Sequence, residues 1–133
     1  MSYYLDTNMC IYYLNGRYDA VRQHLLAHTP EEIRIPAIVK AELLAGAYKS
    51  SRRRVTEQKL LSFLSFFVLE PFGDRMTYAY AELRSQLEKS GTPIGPDDML
   101  IAATVLAEDG ILVTHNVREF QRVKGLRLED WTA

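Results

Sequence analysis

The stretch Ile111-Leu112-Val113-Thr114 has no polar alternation, and it constrains the fold more than any other part of the chain. Successive strand residues face opposite sides of a sheet, so a strand apolar at consecutive positions must be covered on both faces. That is the habit of a central strand in a parallel sheet. Tyr3-Tyr4-Leu5 reads as a first strand, Ile33-Arg34-Ile35 as a second, Phe66-Phe67-Val68-Leu69 as a third, and Leu126 to Leu128 as a weak terminal one. Helical patterns fill the intervals. The first runs from Asp6 or Thr7 to Leu14 and stops at Asn15-Gly16; the second opens at Asp19 and stops at Thr29-Pro30. Pro36 opens a third that reaches about Tyr48, Val55 to Leu64 forms a fourth, and Asp74 opens a fifth that reaches about Lys89. Met99 to Ala107 is apolar except for Thr104 and predicts a buried helix ending at Asp109-Gly110; a last helical turn covers Val117 to Arg122. Strands alternating with helices predict an α/β class with a mostly parallel sheet.

The chain has 133 residues, which predicts one domain over 1–133 that buries roughly two thirds of the surface of its unfolded form. A net charge of −1 argues against whole-molecule attraction to nucleic acid and leaves room for a local basic patch. The single cysteine, Cys10, excludes an intrachain disulfide and fits a reducing cytosol. No basic segment followed by an apolar core begins the chain, and its apolar runs fall far short of the roughly 18 residues of a membrane span. The expectation is a compact cytoplasmic domain.

Most of the acids sit on polar faces or in loops. Glu42 does not: Ile38, Val39, Ala45 and Gly46 share its helical face. A carboxylate there is costly unless it is partly exposed or paired, with Lys40 and Lys49 as the ordinary partners. Asp97 and Asp98 open the buried helix, where acids favourably meet the helix dipole. Asp97 shares a face with the polar Thr104 and Glu108. Asp98 shares one with Ile101, Ala102 and Val105 and so points inward. Asp6 ends the first strand, as a helix cap or as a ligand. Thr114-His115-Asn116 ends the central strand, as an Asx-type turn or as a polar wall, with Glu119 one helical turn later.

Ligands of open parallel sheets bind beyond the carboxyl ends of the strands, where Asp6, Glu42, Asp98 and the Thr114–Asn116 turn would meet. Three carboxylates in a small crevice repel, and without a cation at least one holds a proton at neutral pH. Oxygen-only ligands with open positions suit Mg²⁺ or Mn²⁺, ions that activate water for attack on a phosphodiester.

Taken in order and spacing, several motifs resemble those of the PIN-domain ribonucleases, specifically the VapC toxins of bacterial toxin–antitoxin pairs. They are Leu5-Asp6-Thr7-Asn8, Ala41-Glu42-Leu43 with Gly46, Pro93 to Ala103 around Asp97-Asp98, Val113 to Phe120, and Leu128-Glu129-Asp130-Trp131. The resemblance covers essentially the whole chain. It implies a three-layer α/β/α domain with a five-stranded sheet and an acidic core of Asp6, Glu42 and Asp98 holding Mg²⁺ or Mn²⁺. It also selects Asp98 over Asp97. Many members carry a fourth acid where this chain has Asn116; the resemblance leaves Asn116 to hold a water or the third acid, with Glu119 as its substitute and Thr7 and Thr114 in support. It further implies an endoribonuclease acting on structured RNA, often tRNA, a homodimer, and restraint by a cognate VapB-type antitoxin. The rivals are a PIN nuclease of RNA maturation or one directed at DNA, and a catalytically weak RNA-binding module.

Arg52, Arg53 and Arg54 lie in the densest basic cluster, read either as a solvated turn or as an RNA-phosphate contact. His24 and His28 are spaced for zinc but have no third ligand nearby, which predicts a solvent-facing pair. His115 lies beside the predicted pocket, within reach of RNA. Tyr3, Tyr4, Tyr12, Tyr13, Tyr78 and Tyr80 exceed what a small core holds, so some are expected at a protein interface.

Overall fold

A computed structural model describes all the residues, 1–133. Five strands, Tyr3–Leu5 (β1), Ile33–Pro36 (β2), Val68–Glu70 (β3), Ile111–Val113 (β4) and Arg127–Glu129 (β5), form one sheet in the order β3-β2-β1-β4-β5. Every pairing is parallel. Seven helices connect them: Thr7–Asn15 (α1), Asp19–Ala27 (α2), Ala37–Lys49 (α3), Arg53–Leu64 (α4), Asp74–Ser90 (α5), Pro96–Ala107 (α6) and Val117–Phe120 (α7). The chain moves outward from β1 to β3, then returns across the sheet to β4 and β5. Right-handed crossovers in opposite directions place their helices on opposite faces. The order also puts the reversal point between β1 and β4, where a crevice opens at the carboxyl ends of the strands.

The three inner strands carry the core. Tyr4, Leu5, Ile33, Ile35, Leu112 and Val113 are all essentially inaccessible, as the lack of alternation in β4 predicts. At the amino end of β4 the backbone of Gly110 lies against the Tyr4 ring so closely that an added Cβ would overlap it. Helices α1 and α5 end at Gly16 and Gly91, both left-handed, with φ of 64° and 66°; each N–H closes the helix by bonding back to its last turn.

Several boundaries differ from the sequence reading. The third strand begins at Val68, two residues late, because Phe66 and Phe67 bond back to Phe63 and Leu64 and finish the turn of α4. Helix α4 starts at Arg53, so the basic stretch is half helix. Thr104 is fully buried despite its polarity; its hydroxyl donates to the carbonyl of Leu100 one turn back. His24 and His28 do not simply face solvent. Their rings stack on the buried Trp131, at 5.2 Å and 4.9 Å between centroids, and so seat the carboxyl-terminal segment on α2.

Candidate active site

Asp6 caps α1. Its Oδ1 accepts the Met9 N–H at 2.9 Å, and its own N–H is held by the carbonyl of Val113 across the sheet. The structure bears out the helix cap, one of the two readings of this residue, and places the same carboxylate in the crevice between β1 and β4. Thr114, at the end of β4, donates its hydroxyl to Asp6 and accepts the Asn116 N–H at 2.9 Å. Burial pushes the Asp6 carboxyl up to about 6 against the pull of these donors, and the charges of Glu42 and Asp130 add to the rise.

Glu42 reaches the crevice from α3. Neither Lys40 nor Lys49 pairs with it; its Oε1 accepts the hydroxyl of Thr7 from the first turn of α1, at 2.5 Å. Burial raises its pKa against that bond, and the neighbouring Asp97 adds to the effect by charge and by hydrogen bonding. Asp97 is therefore part of the cluster from the outside, a placement the helical-face argument missed.

Asp98 enters from α6. Burial, a hydrogen bond shared with Glu119, and the charges of Glu119, Asp6 and Glu42 together push it up to about 7. Glu119 takes the opposite course. Burial is the largest influence on it and works upward, yet the Gly95 N–H, the Asn116 amide and Asp98 outweigh it and hold the carboxyl below its usual range. The Gly95 bond measures 3.0 Å and the Asn116 bond 2.8 Å. Asn116 thus orients an acid, Glu119, beside Asp98.

The structure brings Asp6, Glu42, Asp98, Thr7, Thr114, Asn116 and Glu119 to one edge of the sheet. No three His, Cys, Asp or Glu side chains stand close enough in this conformation to share one metal ion. The donor set nonetheless fits a hard divalent cation in its chemistry: oxygen only, from four elements, with no protein cation among its hydrogen-bond or ion-pair partners and with burial and like charge raising the pKa of Asp6, Glu42 and Asp98. Arg52 shares a groove of about 410 Å³ with Glu42, Arg53 lies over the Tyr48 ring and pairs with Glu57, and Arg54 is exposed without a partner. Asp130, whose charge reaches Asp6, was not singled out from the sequence. Its position directly after β5, at the same carboxyl edge, is the signal that could have found it.

This geometry has close counterparts. Residues 3–126 match the PIN domain family. The chain is 42% identical over 132 residues to Ribonuclease VapC2 of Rickettsia felis, and 30% identical over 131 residues to the tRNA(fMet)-specific endonuclease VapC of Salmonella typhimurium. In each case 98% of both chains is covered. The solved VapBC2 complex of Rickettsia felis on a promoter DNA fragment superposes with a TM-score of 0.91 at 39% identity, covering 98% of this chain and 99% of that one. The DNA-bound VapBC of Salmonella typhimurium gives 0.94 at 30% identity, covering 98% of each chain. Sequence, topology and the acidic crevice agree, and the chain belongs to the VapC ribonucleases of the PIN-domain family.

Proposed function

We propose that Asp6, Glu42 and Asp98 hold a divalent cation, Mg²⁺ or Mn²⁺, and that the protein is a toxin that hydrolyses phosphodiester bonds in RNA, tRNA foremost, in the cytoplasm. The observation that carries this reading is the convergence of acids from the end of β1, α3 and α6 with no basic side chain paired to them, where burial and like charge raise the pKa of each. When bound, such an ion lowers the pKa of a water and offsets charge on the phosphate under attack. The chain's own groups set the geometry. Thr114 fixes the Asp6 carboxylate, Thr7 fixes Glu42, and Asn116 fixes Glu119, which shares a hydrogen bond with Asp98. Arg52 and Arg54 are the members of the basic cluster with donors to spare for RNA phosphates; Arg53 is committed within the protein.

A VapB-type antitoxin is the expected restraint, in a hetero-oligomer built on a toxin homodimer. An apolar groove of about 880 Å³ between α1, α2 and α4, lined by Tyr13, Leu14, Leu25, Phe63 and Phe67, suits an amphipathic helix of such a partner. Tyr48 and Tyr78 are exposed and suit protein contacts.

Purified protein incubated with total RNA and a tRNA pool, in Mg²⁺ or in EDTA and beside an Asp98→Asn variant, tests the reading. Cleavage that needs the metal and disappears in the variant supports it; cleavage that survives both sinks it. RNA bound but left intact would mark a binding module, and preferential cutting of DNA would reassign the substrate.

A further inference from the structure

Beside the acidic crevice, on the side of β5, lies a group of side chains that the cleavage chemistry does not use. Tyr12 on α1 and Tyr18 before α2 pack edge to face at 5.0 Å between centroids. The guanidinium of Arg17, in the turn between them, lies 5.5 Å from one ring and 5.4 Å from the other. Arg17 is exposed, and its side chain has no ion pair or hydrogen bond within the protein. Several exposed arginines lean on carboxylates or carbonyls, Arg75 on Glu108, Arg84 on Glu88, Arg127 on Asp109 and Arg122 on the carbonyl of Pro93, while Arg22 and Arg54 are exposed with neither such a partner nor an aromatic one. Here two aromatic faces hold the cation instead, which fixes its position and leaves every donor of its fork for something outside.

The same two tyrosines meet His115. Its ring lies 6.2 Å from Tyr12 and 6.0 Å from Tyr18. Asp130 accepts from its Nδ1 at 2.9 Å, and Thr132, which donates to the other Asp130 oxygen at 2.7 Å, stands 3.1 Å from the same nitrogen. This leaves Nε2 free on a side chain half exposed to solvent. His115 is one residue beyond Thr114, the residue that holds Asp6, so the group is continuous with the crevice.

We propose that Arg17, Tyr12, Tyr18 and His115 form a subsite for one nucleotide of the RNA strand next to the bond being cut. Arg17 takes a backbone phosphate and the aromatic and imidazole rings take an unstacked base. A guanidinium fork matches two phosphate oxygens, and a ring beside it offers the sequence-tolerant stacking by which proteins hold single-stranded nucleic acid. Such a cation also answers a difficulty of the site. An acidic crevice repels the phosphates that flank the scissile one, and Arg52 supplies a counter-charge only on the α4 side. The subsite deepens the ribonuclease reading and rests on the crevice being where RNA is cut.

The test measures affinity apart from cleavage. Binding of a labelled tRNA pool and of a short labelled single-stranded RNA is followed by fluorescence anisotropy in EDTA, for wild type, Arg17→Ala, Arg17→Lys, His115→Ala and Arg22→Ala. The last removes an exposed charge from α2 that no aromatic pair holds. Arg17→Ala is expected to raise Kd about tenfold and His115→Ala about fivefold, with Arg17→Lys in between. Arg22→Ala should change Kd by no more than about twofold. In Mg²⁺ the first three should raise KM with kcat kept within about threefold. Equal losses for Arg17→Ala and Arg22→Ala would overturn the subsite, as would unchanged Kd and KM, or a fall in kcat alone. So would an Arg17→Ala protein that binds RNA normally but loses a cognate protein partner. A wild type that binds RNA through these residues yet never cuts it would defeat the ribonuclease reading and leave the subsite standing.

Discussion

Glu70 and the acids of the crevice are carboxylates drawn out of solvent at the carboxyl edge of one sheet, and they are stabilised in opposite ways. Glu70, on the edge strand β3, accepts the buried Tyr4 hydroxyl at 3.0 Å and lies 3.5 Å from an Arg34 nitrogen. Its charge is met inside the protein, and burial together with Glu70 keeps the proton on Tyr4 far above the usual phenol range. Asp6, Glu42 and Asp98 meet neutral donors and other acids, Asp97, Glu119 and Asp130 among them, so burial and like charge raise their pKa values with no cation to oppose them. A carboxylate that the fold pairs belongs to its stability. A cluster that the fold leaves unpaired, in a crevice at the sheet's reversal point, is held for something that comes from outside.

The sharpest way to break this distinction is Asp98→Asn. Cleavage should fall by about 10²–10³-fold or more, while the metal-free variant melts at the same temperature or higher, because a half-buried acid repelled by its neighbours has become a neutral amide. Loss of activity with a lowered Tm would put Asp98 in the structural class. The reverse experiment is Glu70→Gln. It should cost about 1–2 kcal/mol of stability by thermal or urea unfolding and leave kcat unchanged at a temperature where the variant is folded. Gly110→Ala attacks the same pair from below by driving a methyl group into the Tyr4 ring, at about 1–3 kcal/mol. Cleavage that fell further than stability in either variant would erase the division.

How far the sequence discloses this division depends on the range of the interactions. The unalternating β4, the stops at Gly16 and Gly91 and the capping role of Asp6 are local, and all are readable from neighbours within a turn or a strand. The inward aim of Asp98 is readable from helical spacing alone. Asp97 is not, because spacing reports only its own helix, and its contact with Glu42 comes from the way α3 and α6 meet. The seating of Trp131 on His24 and His28 joins residues more than a hundred positions apart, and no periodicity reports it. Asn116 is the instructive case. Its lack of charge made the fourth side of the pocket doubtful, yet its amide positions Glu119, a partnership visible only when both side chains are placed.

The contrast also fixes the sign of a pH dependence. Folded Asp6 titrates at about 6 and Asp98 at about 7, both above the ordinary aspartate value of 3.8 that applies to the unfolded chain. Folding therefore takes up protons between those values. The contribution of these groups to stability is full below about pH 4 and is lost as pH rises through 6 to 7. Metal-free protein should lose Tm across that window through these two acids, and Asp98→Asn should flatten the upper part of the loss. If Mg²⁺ is held by the ionised carboxylates, as proposed, it should raise Tm more at pH 8 than at pH 5. A Tm that climbed between pH 5 and 7 without metal, and to the same extent in Asp98→Asn, would mean that the crevice is internally paired as Glu70 is.

The smallest effect should come from Thr7→Val, which removes the single neutral donor that holds Glu42 and leaves the carboxylate in place. Without that bond the pKa of Glu42 rises further, since the donor is what opposes burial and Asp97. Apparent Mg²⁺ affinity in the cleavage assay should weaken by about tenfold, and excess Mg²⁺ should restore most of the rate. Rescue by the ion is the informative part, because a metal cannot replace a hydroxyl whose role is to seal the packing between α1 and α3. A Thr7→Val protein that stayed inactive at saturating Mg²⁺, with Tm lowered as in Glu70→Gln, would move Glu42 to the structural side and leave the crevice with two working acids.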